Sequence, residues 1–436
     1  MWSLRPSQGA EDGHAPRESA DEPPTREWTV TQDQLVELSR FLYSPVTLLL
    51  YVAATIANFY SLATQTALSP SPARTAVRAS QRPVQRLGVA LAILAVASHV
   101  VHVVVRALAQ QRWPLGNMFE FTSAMALVCA AAGLIYLLGV RKRQELLGFV
   151  MLVASLLVGS AMLVYSSPGP LQPILATWWL PFHVTVIASA AGILTVGFVF
   201  SALYLMRDLA ERRVAGARSA VTHGSTVGAV HASGVSRDDV AGRVSPDVID
   251  GGHSPVETEQ ANEAAYRVAL RAAISPWRLA VSTFVGVSAV SWIYIATPTL
   301  DTMTGFTRFL AINVGLVGAA LLARWFMPYL PDASTLDALA YRIISLGFLT
   351  WTFGVIAGAM WAEQSWGRFW GWDPKETGSF VTWVAYASYL HARATPGVRG
   401  RTAGWIGLWA FAVLMFAYQG VNLVMSSIHG YAGLPQ

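Results

Sequence analysis

Long apolar blocks dominate this chain and set the strongest limit on its fold. Hydrophobic residues make up 54% of the 436 residues and charged residues only 13%, about half the charge content of a soluble domain. Several blocks exceed the roughly 18–20 residues that a helix needs to cross a bilayer. The sequence therefore predicts an all-α fold, a polytopic transmembrane helical bundle of about ten spans. The predicted spans are residues 41–66, 87–109, 119–140, 145–165, 182–205, 278–299, 308–327, 341–361, 379–394 and 403–424.

Arginines predict the orientation of these spans. The net charge is +5, and Lys142 and Lys375 are the only lysines. Basic residues in short loops mark the cytoplasmic side of a membrane protein, and here they cluster in 74–86, 141–143, 207–213 and 393–401. The intervening loops, and both termini, are then extracytoplasmic. No basic aromatic surface supports binding to nucleic acid.

Composition divides the chain into four regions. Residues 1–40 are predicted to be a polar, largely disordered extracytoplasmic tail without a cleavable signal peptide, although 31–40 also suit a short helix at the membrane surface. Residues 41–205 form a first transmembrane bundle of about five spans. Residues 206–275 are predicted to be a cytoplasmic, mostly disordered linker. Residues 276–436 form the second transmembrane bundle. Four histidines in the polar regions are expected to be solvated: His14, His223, His231 and His253.

A tryptophan-rich segment joins two apolar blocks of the second bundle. It runs over 361–377, contains four of the 16 tryptophans and reads W-A-E-Q-S-W-G-R-F-W-G-W-D-P-K-E-T. Its end is typical of a helix start, in which Asp373 caps, Pro374 takes the first position and Glu376 reaches back to the cap amide. Tryptophan belts also mark the membrane–water interface of unrelated proteins. The aromatic content alone therefore does not distinguish an interfacial belt from a functional site.

The string W-G-x-x-W-x-W-D-P-K-E-T resembles the WWD signature of haem-handling membrane proteins. Its D-P-K-E-T ending resembles the CcsA/ResC family (CcsB in some lineages) of System II cytochrome c biogenesis. The resemblance covers about residues 85–205 and 270–433, and the loop 112–121 is similar to the family's G-x-x-P-x-x-N-x-Y-E segment. One departure is Gly378-Ser379, where the family usually has Trp and Ser.

The resemblance implies that the chain is the haem-transporting and haem-presenting subunit of a cytochrome c synthetase (haem lyase). Such a subunit exports haem b and attaches it through thioethers to the C-x-x-C-H motif of apocytochrome c. The implied partners are a ResB/Ccs1-like membrane subunit, apocytochrome c, membrane lipid and, indirectly, a thioredoxin-like thiol reductant and a CcdA-like protein. The implied location is the bacterial cytoplasmic (inner) membrane, with the segment 361–378 on the extracytoplasmic face. Because the thioether sulfurs come from the substrate, Cys129 takes no part, and the chain supplies no catalytic residue beyond haem presentation.

An outer haem site follows from the same resemblance. His183 and His429 match the family's external histidines and are expected to ligate the iron from its two faces. The haem is expected to rest on a shelf of tryptophan rings, with the adjoining motif residues beside it. These residues are Trp366, Trp370, Trp372, Asp373, Lys375 and Glu376.

An inner haem site is implied at His391. This residue is 18 positions after Asp373, or about 27 Å along a continuous helix, and therefore near the cytoplasmic end. The second ligand of an inner haem is expected from the ResB-like subunit. His99 and His102 share one helical face and are the alternative within this chain, unless they only form hydrogen bonds inside the bundle.

Charged residues near the outer site have two interpretations each. Arg112, Arg368 and Lys375 suit haem propionates as well as lipid headgroups. Glu120 opens a span, where a carboxylate favours the helix N-terminus, and a structural role is favoured for it. Two other functions remain open at this point, a CcmC-like haem exporter without ligation activity and a membrane b-type cytochrome redox subunit.

Overall fold

The computed structural model of the protein describes residues 31–66, 74–168, 177–223, 255–297, 301–398 and 400–425. Within these ranges the chain is helical and contains no strand. The longer helices, in chain order, are α1 Gln32–Phe41, α2 Leu48–Thr66, α3 Arg74–Gln110, α4 Met118–Leu134, α5 Leu147–Met162, α6 Trp179–His223, α7 Pro255–Ala272, α8 Pro276–Ser291, α9 Thr302–Phe326, α10 Ala333–Trp366, α11 Pro374–Ala394 and α12 Arg401–Met415. A π-helical segment, Phe416–Gly420, and a short helix, Val421–Val424, extend α12.

The predicted all-α polytopic fold is confirmed. In the described part of the chain, nine helical stretches are long and apolar enough to cross a membrane. They correspond to nine of the ten predicted spans. The tenth, 379–394, belongs to α11, which has 21 residues but falls outside this set because polar and aromatic side chains lower its hydropathy.

The pairing of α6 with α10 forms the centre of the bundle. Glycines allow the two backbones to approach closely, as small residues do between membrane helices. A Cβ added at Gly347 would come within 2.6 Å of Leu194, and one at Gly354 within 2.5 Å of Ile187. The helices run antiparallel, so the start of α6 meets the end of α10. We call this end of the bundle the outer end, after the predicted orientation.

The linker predicted for 206–275 begins and ends in helix. α6 continues through 223, and α7 begins at 255. Ion pairs one turn apart, Arg207 with Glu211 and Asp208 with Arg212, support the extension of α6. Arg218 lies over the Tyr266 ring of α7, 5.2 Å from its centroid. Residues 206–223 and 255–272 of the region predicted to be mostly disordered are therefore helical. Residues 224–254 lie outside the described residues.

The N-terminal region enters the bundle through a bend. Thr31 and Gln34 form a reciprocal capping box at the start of α1, which corresponds to the short helix considered for 31–40. A π-helical segment, Leu42–Thr47, then joins α1 to α2 and contains Pro45, which lacks a backbone donor. Residues 1–30 of the predicted tail lie outside the described residues.

Candidate functional site

A cavity of about 230 Å³ lies at the outer end of the bundle. Its walls come from the loop before α4, the first turns of α6, the last turns of α10, the tryptophan-rich segment with the start of α11, and the extension of α12. The sequence predicted that the loop 110–118, His183 and the tryptophan-rich segment share one face of the membrane. In the structure all three border the same cavity.

His183 is fixed in this cavity by a hydrogen bond to the backbone of α10. Its Nδ1 lies 2.9 Å from the carbonyl oxygen of Gly354. Because a carbonyl oxygen only accepts, Nδ1 must carry the proton, and in a neutral imidazole the lone pair then resides on Nε2. A backbone partner at one ring nitrogen is the usual way to orient a histidine that binds metal through the other. The geometry therefore suits ligation through Nε2.

Trp361 stacks in parallel with His183. The ring centroids are 6.1 Å apart and the planes differ by 7°. Trp361 is 2% exposed and packs edge-on against Trp366, with centroids 4.8 Å apart. The sequence placed Trp361 in the tryptophan-rich segment but gave it no role at the site. Its relation to His183 depends on how α6 docks on α10, which no local pattern in the sequence specifies.

The three tryptophans predicted to form a shelf lie in two groups. Trp366 packs beside Trp361, whereas Trp370 lines the cavity. Trp372 is 67% exposed, and its ring is nearly perpendicular to that of Trp370, with 88° between the planes. A single flat shelf is therefore not formed in this structure. Of the three rings, Trp370 is the one that borders the cavity.

The helix start predicted at residue 373 is present. Glu376 accepts hydrogen bonds from the amides of Gly371 (2.7 Å) and Asp373 (3.2 Å). Asp373 completes a capping box at the start of α11. Glu376 also pairs with Arg368 at 3.3 Å. The chain reaches this cap through Trp372, whose φ of 56° is in the left-handed region that disfavours a side chain.

Lys375 borders the same cavity from the first turn of α11. Its side chain is half-buried. Desolvation lowers the pKa of Lys375 to about 8, although the neighbouring Asp373 carboxylate acts in the opposite direction. The lysine is thus a cationic group whose charge depends on pH near neutrality.

The departure at Gly378-Ser379 has a structural reason. A Cβ at Gly378 would lie 3.1 Å from the Cβ of Ala417, so the glycine lets α11 approach the extension of α12. Ser379 lines the cavity, and its carbonyl oxygen accepts a hydrogen bond of 3.1 Å from the indole of Trp351. A larger residue at 378 would push the last span away from the site.

His391 lies at the other end of α11 and is not part of the outer cavity. It borders a separate groove of about 510 Å³ with Trp383, Val398 and Ile406 among its walls. Two residues later, Arg393 binds both carboxylate oxygens of Asp337 at the start of α10 (2.7 and 2.6 Å). The groove is thus held at the inner end, where the sequence predicted His391.

His99 and His102 are packed inside the first bundle. Their exposures are 0% and 1%. His99 is 2.8 Å from the Ser123 hydroxyl and 3.2 Å from the Tyr51 hydroxyl, and His102 Nδ1 is 2.8 Å from the carbonyl oxygen of Ser39. These contacts match the alternative in which the two histidines form hydrogen bonds inside the bundle. Neither residue borders the groove of His391.

The last span reaches the cavity through Tyr418 and Asn422. Tyr418 lies in the π-helical segment Phe416–Gly420, and such segments occur frequently at functional sites. The predicted second outer ligand, His429, lies outside the described residues, which end at Met425. Its placement stays a prediction.

The sequence is similar to a family of known proteins. A family model described as "Cytochrome C assembly protein" matches residues 115–429. A protein named cytochrome c biogenesis protein CcsA from Microcystis aeruginosa is 29% identical over 344 residues, which cover 76% of this chain and 85% of the relative. A CcsA protein from a Nostoc species is 41% identical over 150 residues, 31% of this chain and 42% of the relative. One from a Synechocystis species is 50% identical over 99 residues, 23% of this chain and 30% of the relative. These last two alignments therefore span less than half of the relative.

Proposed function

The chain belongs to the family of cytochrome c assembly proteins, and from this premise we propose that it exports haem b and presents it at the outer end for attachment to apocytochrome c. It acts as the CcsA/ResC-type subunit of a System II haem lyase, together with a ResB/Ccs1-like subunit. The membership supports the role in cytochrome c assembly, and the site geometry supports the handling of haem.

The observation that carries this proposal is the fixed orientation of His183. Its Nδ1–H is held by the Gly354 carbonyl oxygen, so Nε2 carries the lone pair through which an imidazole binds haem iron. The ring borders an apolar cavity that also contains Trp370 and Lys375. An aromatic ring and a cation beside an oriented imidazole match the three parts of haem, which are its macrocycle, its carboxylates and its iron.

A cationic side chain at the cavity suits an anionic ligand. Lys375 borders the cavity, and a cation attracts carboxylates such as the propionates of haem. Lys375 is the cation we assign to them, because Arg106, Arg112 and Arg368 are not among the residues that border the cavity.

The cavity is too small to enclose haem unless one of its walls moves. Its volume of about 230 Å³ is below the roughly 300–1,000 Å³ of pockets that enclose drug-sized ligands. Haem would therefore be bound with the exposed part of the tryptophan-rich segment displaced outward. Phe369 borders the cavity and is 56% exposed, so a displacement there disturbs little packing.

The attachment reaction needs no nucleophile from this chain. Each substrate thiol adds across a haem vinyl group, so that one C–S bond forms and the thiol hydrogen goes to the other vinyl carbon, without net electron transfer. The histidine of the substrate's C-x-x-C-H motif replaces one outer ligand, His183 or His429. Cys129 is fully buried and has no part in this chemistry. We further propose that haem enters through the groove of His391 with a second ligand from the ResB-like subunit.

Absorption spectra of the purified protein test the proposal. The reduced-minus-oxidised spectrum should show a low-spin haem that His183→Ala and His429→Ala both lose, and added imidazole should restore cytochrome c formation in cells. Coexpression with a ResB-like subunit should yield holocytochrome c. Export of haem without holocytochrome c would favour the exporter that does not ligate. Haem that persists in both variants would overturn the outer site and favour haem ligation by His391 with His99 or His102, as in a membrane b-type redox subunit.

A further inference from the structure

The loop before α4 repeats the geometry of the tryptophan-rich segment. Arg112 pairs with Glu120 at 3.1 Å, and Arg368 pairs with Glu376 at 3.3 Å, eight residues apart in each case. Both glutamates occupy the third position of a helix, three residues after the capping residue. Two unrelated stretches of sequence, R-W-P-L-G-N-M-F-E and R-F-W-G-W-D-P-K-E, therefore build the same kind of turn.

A backbone amide completes each of the two turns. Glu120 accepts the amide of Gly116 at 2.7 Å, as Glu376 accepts that of Gly371 at 2.7 Å. Both turns border the same cavity, the first through residues 115–118 and the second through 369–370 and 375–376. Two of the cavity's walls are thus loops that are each closed on themselves by an arginine–glutamate pair.

The first loop is the more firmly held of the two. The Glu120 side chain is 0% exposed and binds a second guanidinium, that of Arg106, whose own side chain is 2% exposed. Arg106 also donates to the carbonyl oxygen of Ser166 at 2.8 Å. In the second loop, Glu376 has one arginine, and that arginine is 35% exposed. A buried carboxylate shared by two cations fixes its loop, because moving it would leave charges unpaired in a low dielectric.

The first loop also holds the last span. The hydroxyl of Tyr418 donates to the carbonyl oxygen of Met118 at 2.9 Å and lies 2.5 Å from the hydroxyl of Thr122. The Tyr418 ring stacks on Phe121, with centroids 4.6 Å apart. The start of α4 therefore fixes the position of the last span where Tyr418 and Asn422 border the cavity.

We infer that Glu120 is a positioning residue of the outer site. It keeps 115–121 as a rigid wall that shapes the cavity and, through Tyr418, fixes the last span in the cavity wall. The tryptophan-rich segment is the adjustable wall. This role rests on the proposed function, since the ligand whose binding is measured is haem.

The test uses haemin titration of the full-length protein in detergent, with the low-spin fraction read from the spectrum. Tyr418→Phe keeps the ring and removes the hydroxyl. We expect haemin affinity to fall by about three- to tenfold, the effect of one hydrogen bond, and the low-spin fraction to fall with it, while the melting temperature stays near that of the wild type. Glu120→Gln should weaken binding at least as much and speed the hydrogen exchange of 112–121. Glu145→Gln is the control, because Glu145 pairs with Arg143 at a partly exposed site away from the cavity.

The outcomes separate the two proposals. Weaker binding and a lower low-spin fraction in Tyr418→Phe, at an unchanged melting temperature, support the inference even if Glu120→Gln does not fold. Wild-type affinity and spectrum in Tyr418→Phe overturn it, provided that His183→Ala loses haem. If His183→Ala binds haemin as the wild type does, the proposed function itself fails.

Discussion

The imidazole of His183 lies directly against Gly358. A Cβ added at this glycine would come within 2.7 Å of Cε1 and 3.0 Å of Nδ1. Gly354, one turn earlier, supplies the carbonyl oxygen that holds Nδ1. The ring is thus placed by two glycines on one face of α10, and its orientation depends on the absence of a side chain at residue 358.

Gly358→Ala should displace the His183 ring and weaken haem binding without removing any ligand. We expect at least about a tenfold loss of haemin affinity, equivalent to roughly 1.4 kcal/mol, and a loss of the low-spin spectrum. Gly318→Ala on α9 is the matched control, because a Cβ there meets nothing within 4 Å. A variant at 358 that binds haemin like the control would show that the ring has room to move.

The charge of Lys375 should make ligand binding depend on pH. Its pKa is lowered to about 8, so we expect affinity for an anionic porphyrin to fall as pH rises through about 8. Lys375→Arg should flatten the profile because arginine stays charged. Lys375→Gln should bind weakly at every pH. An unchanged profile in both variants would exclude the lysine from the binding of the carboxylates.

The same lowered pKa predicts the sign of a stability change. The folded-state pKa of Lys375 lies below its ordinary value of 10.5, so the unfolded chain binds more protons between about pH 8 and 10.5. The contribution of this group to the free energy of unfolding should therefore rise with pH across that window. Comparison of wild type with Lys375→Gln by thermal unfolding isolates it. If the free energy of unfolding of the wild type minus that of the variant falls as pH rises from about 8 to 10.5, this sign is contradicted.

Trp372→Gly should stabilise the protein while weakening its binding of haem. The φ of 56° at Trp372 costs about 1 kcal/mol or more for a residue with a side chain, and glycine removes that strain. Since Trp372 is 67% exposed, little packing is lost. Trp372→Phe keeps the strained backbone and should melt like the wild type. A lower melting temperature for the glycine variant would mean that ring contacts outweigh the strain.

The ion pair between Arg393 and Asp337 should hold the inner end of α11. Its side chains are 16% and 21% exposed, so breaking it with Asp337→Asn should lower the free energy of unfolding by about 1–3 kcal/mol. The pair of Arg267 with Glu263 is more exposed, and Glu263→Gln should change stability by less than about 1 kcal/mol. Similar losses of unfolding free energy in the two variants would show that the pair of Arg393 with Asp337 stabilises the protein no more than an exposed ion pair does.

Local patterns were sufficient to predict most of the spans and the cap at residue 373. Apolar length identifies a span without knowledge of its neighbours, and a capping box is complete within four residues. The sequence also predicted that His183 and the tryptophan-rich segment share one end of the bundle. That prediction used only the direction in which each span crosses the membrane.

Relations between distant helices could not be predicted in this way. The bond from His183 to Gly354 joins residues 171 positions apart, and it requires the particular register of α6 on α10. The ring orientations of Trp366, Trp370 and Trp372 depend on the same packing. The helical edges of the 206–275 region were missed because their stabilising contacts, such as Arg218 with Tyr266, join two segments that look polar and irregular when each is read alone.

The length of α6 has a practical consequence for handling this protein. Its 45 residues extend over about 68 Å, more than twice the roughly 30 Å of hydrocarbon that it must cross. The helix therefore projects from the inner end as a stalk, and α7 returns beside it. A reporter or affinity handle inserted between these helices would be attached away from both the lipid and the outer cavity, so the protein can be immobilised or labelled there while its ligand site stays accessible.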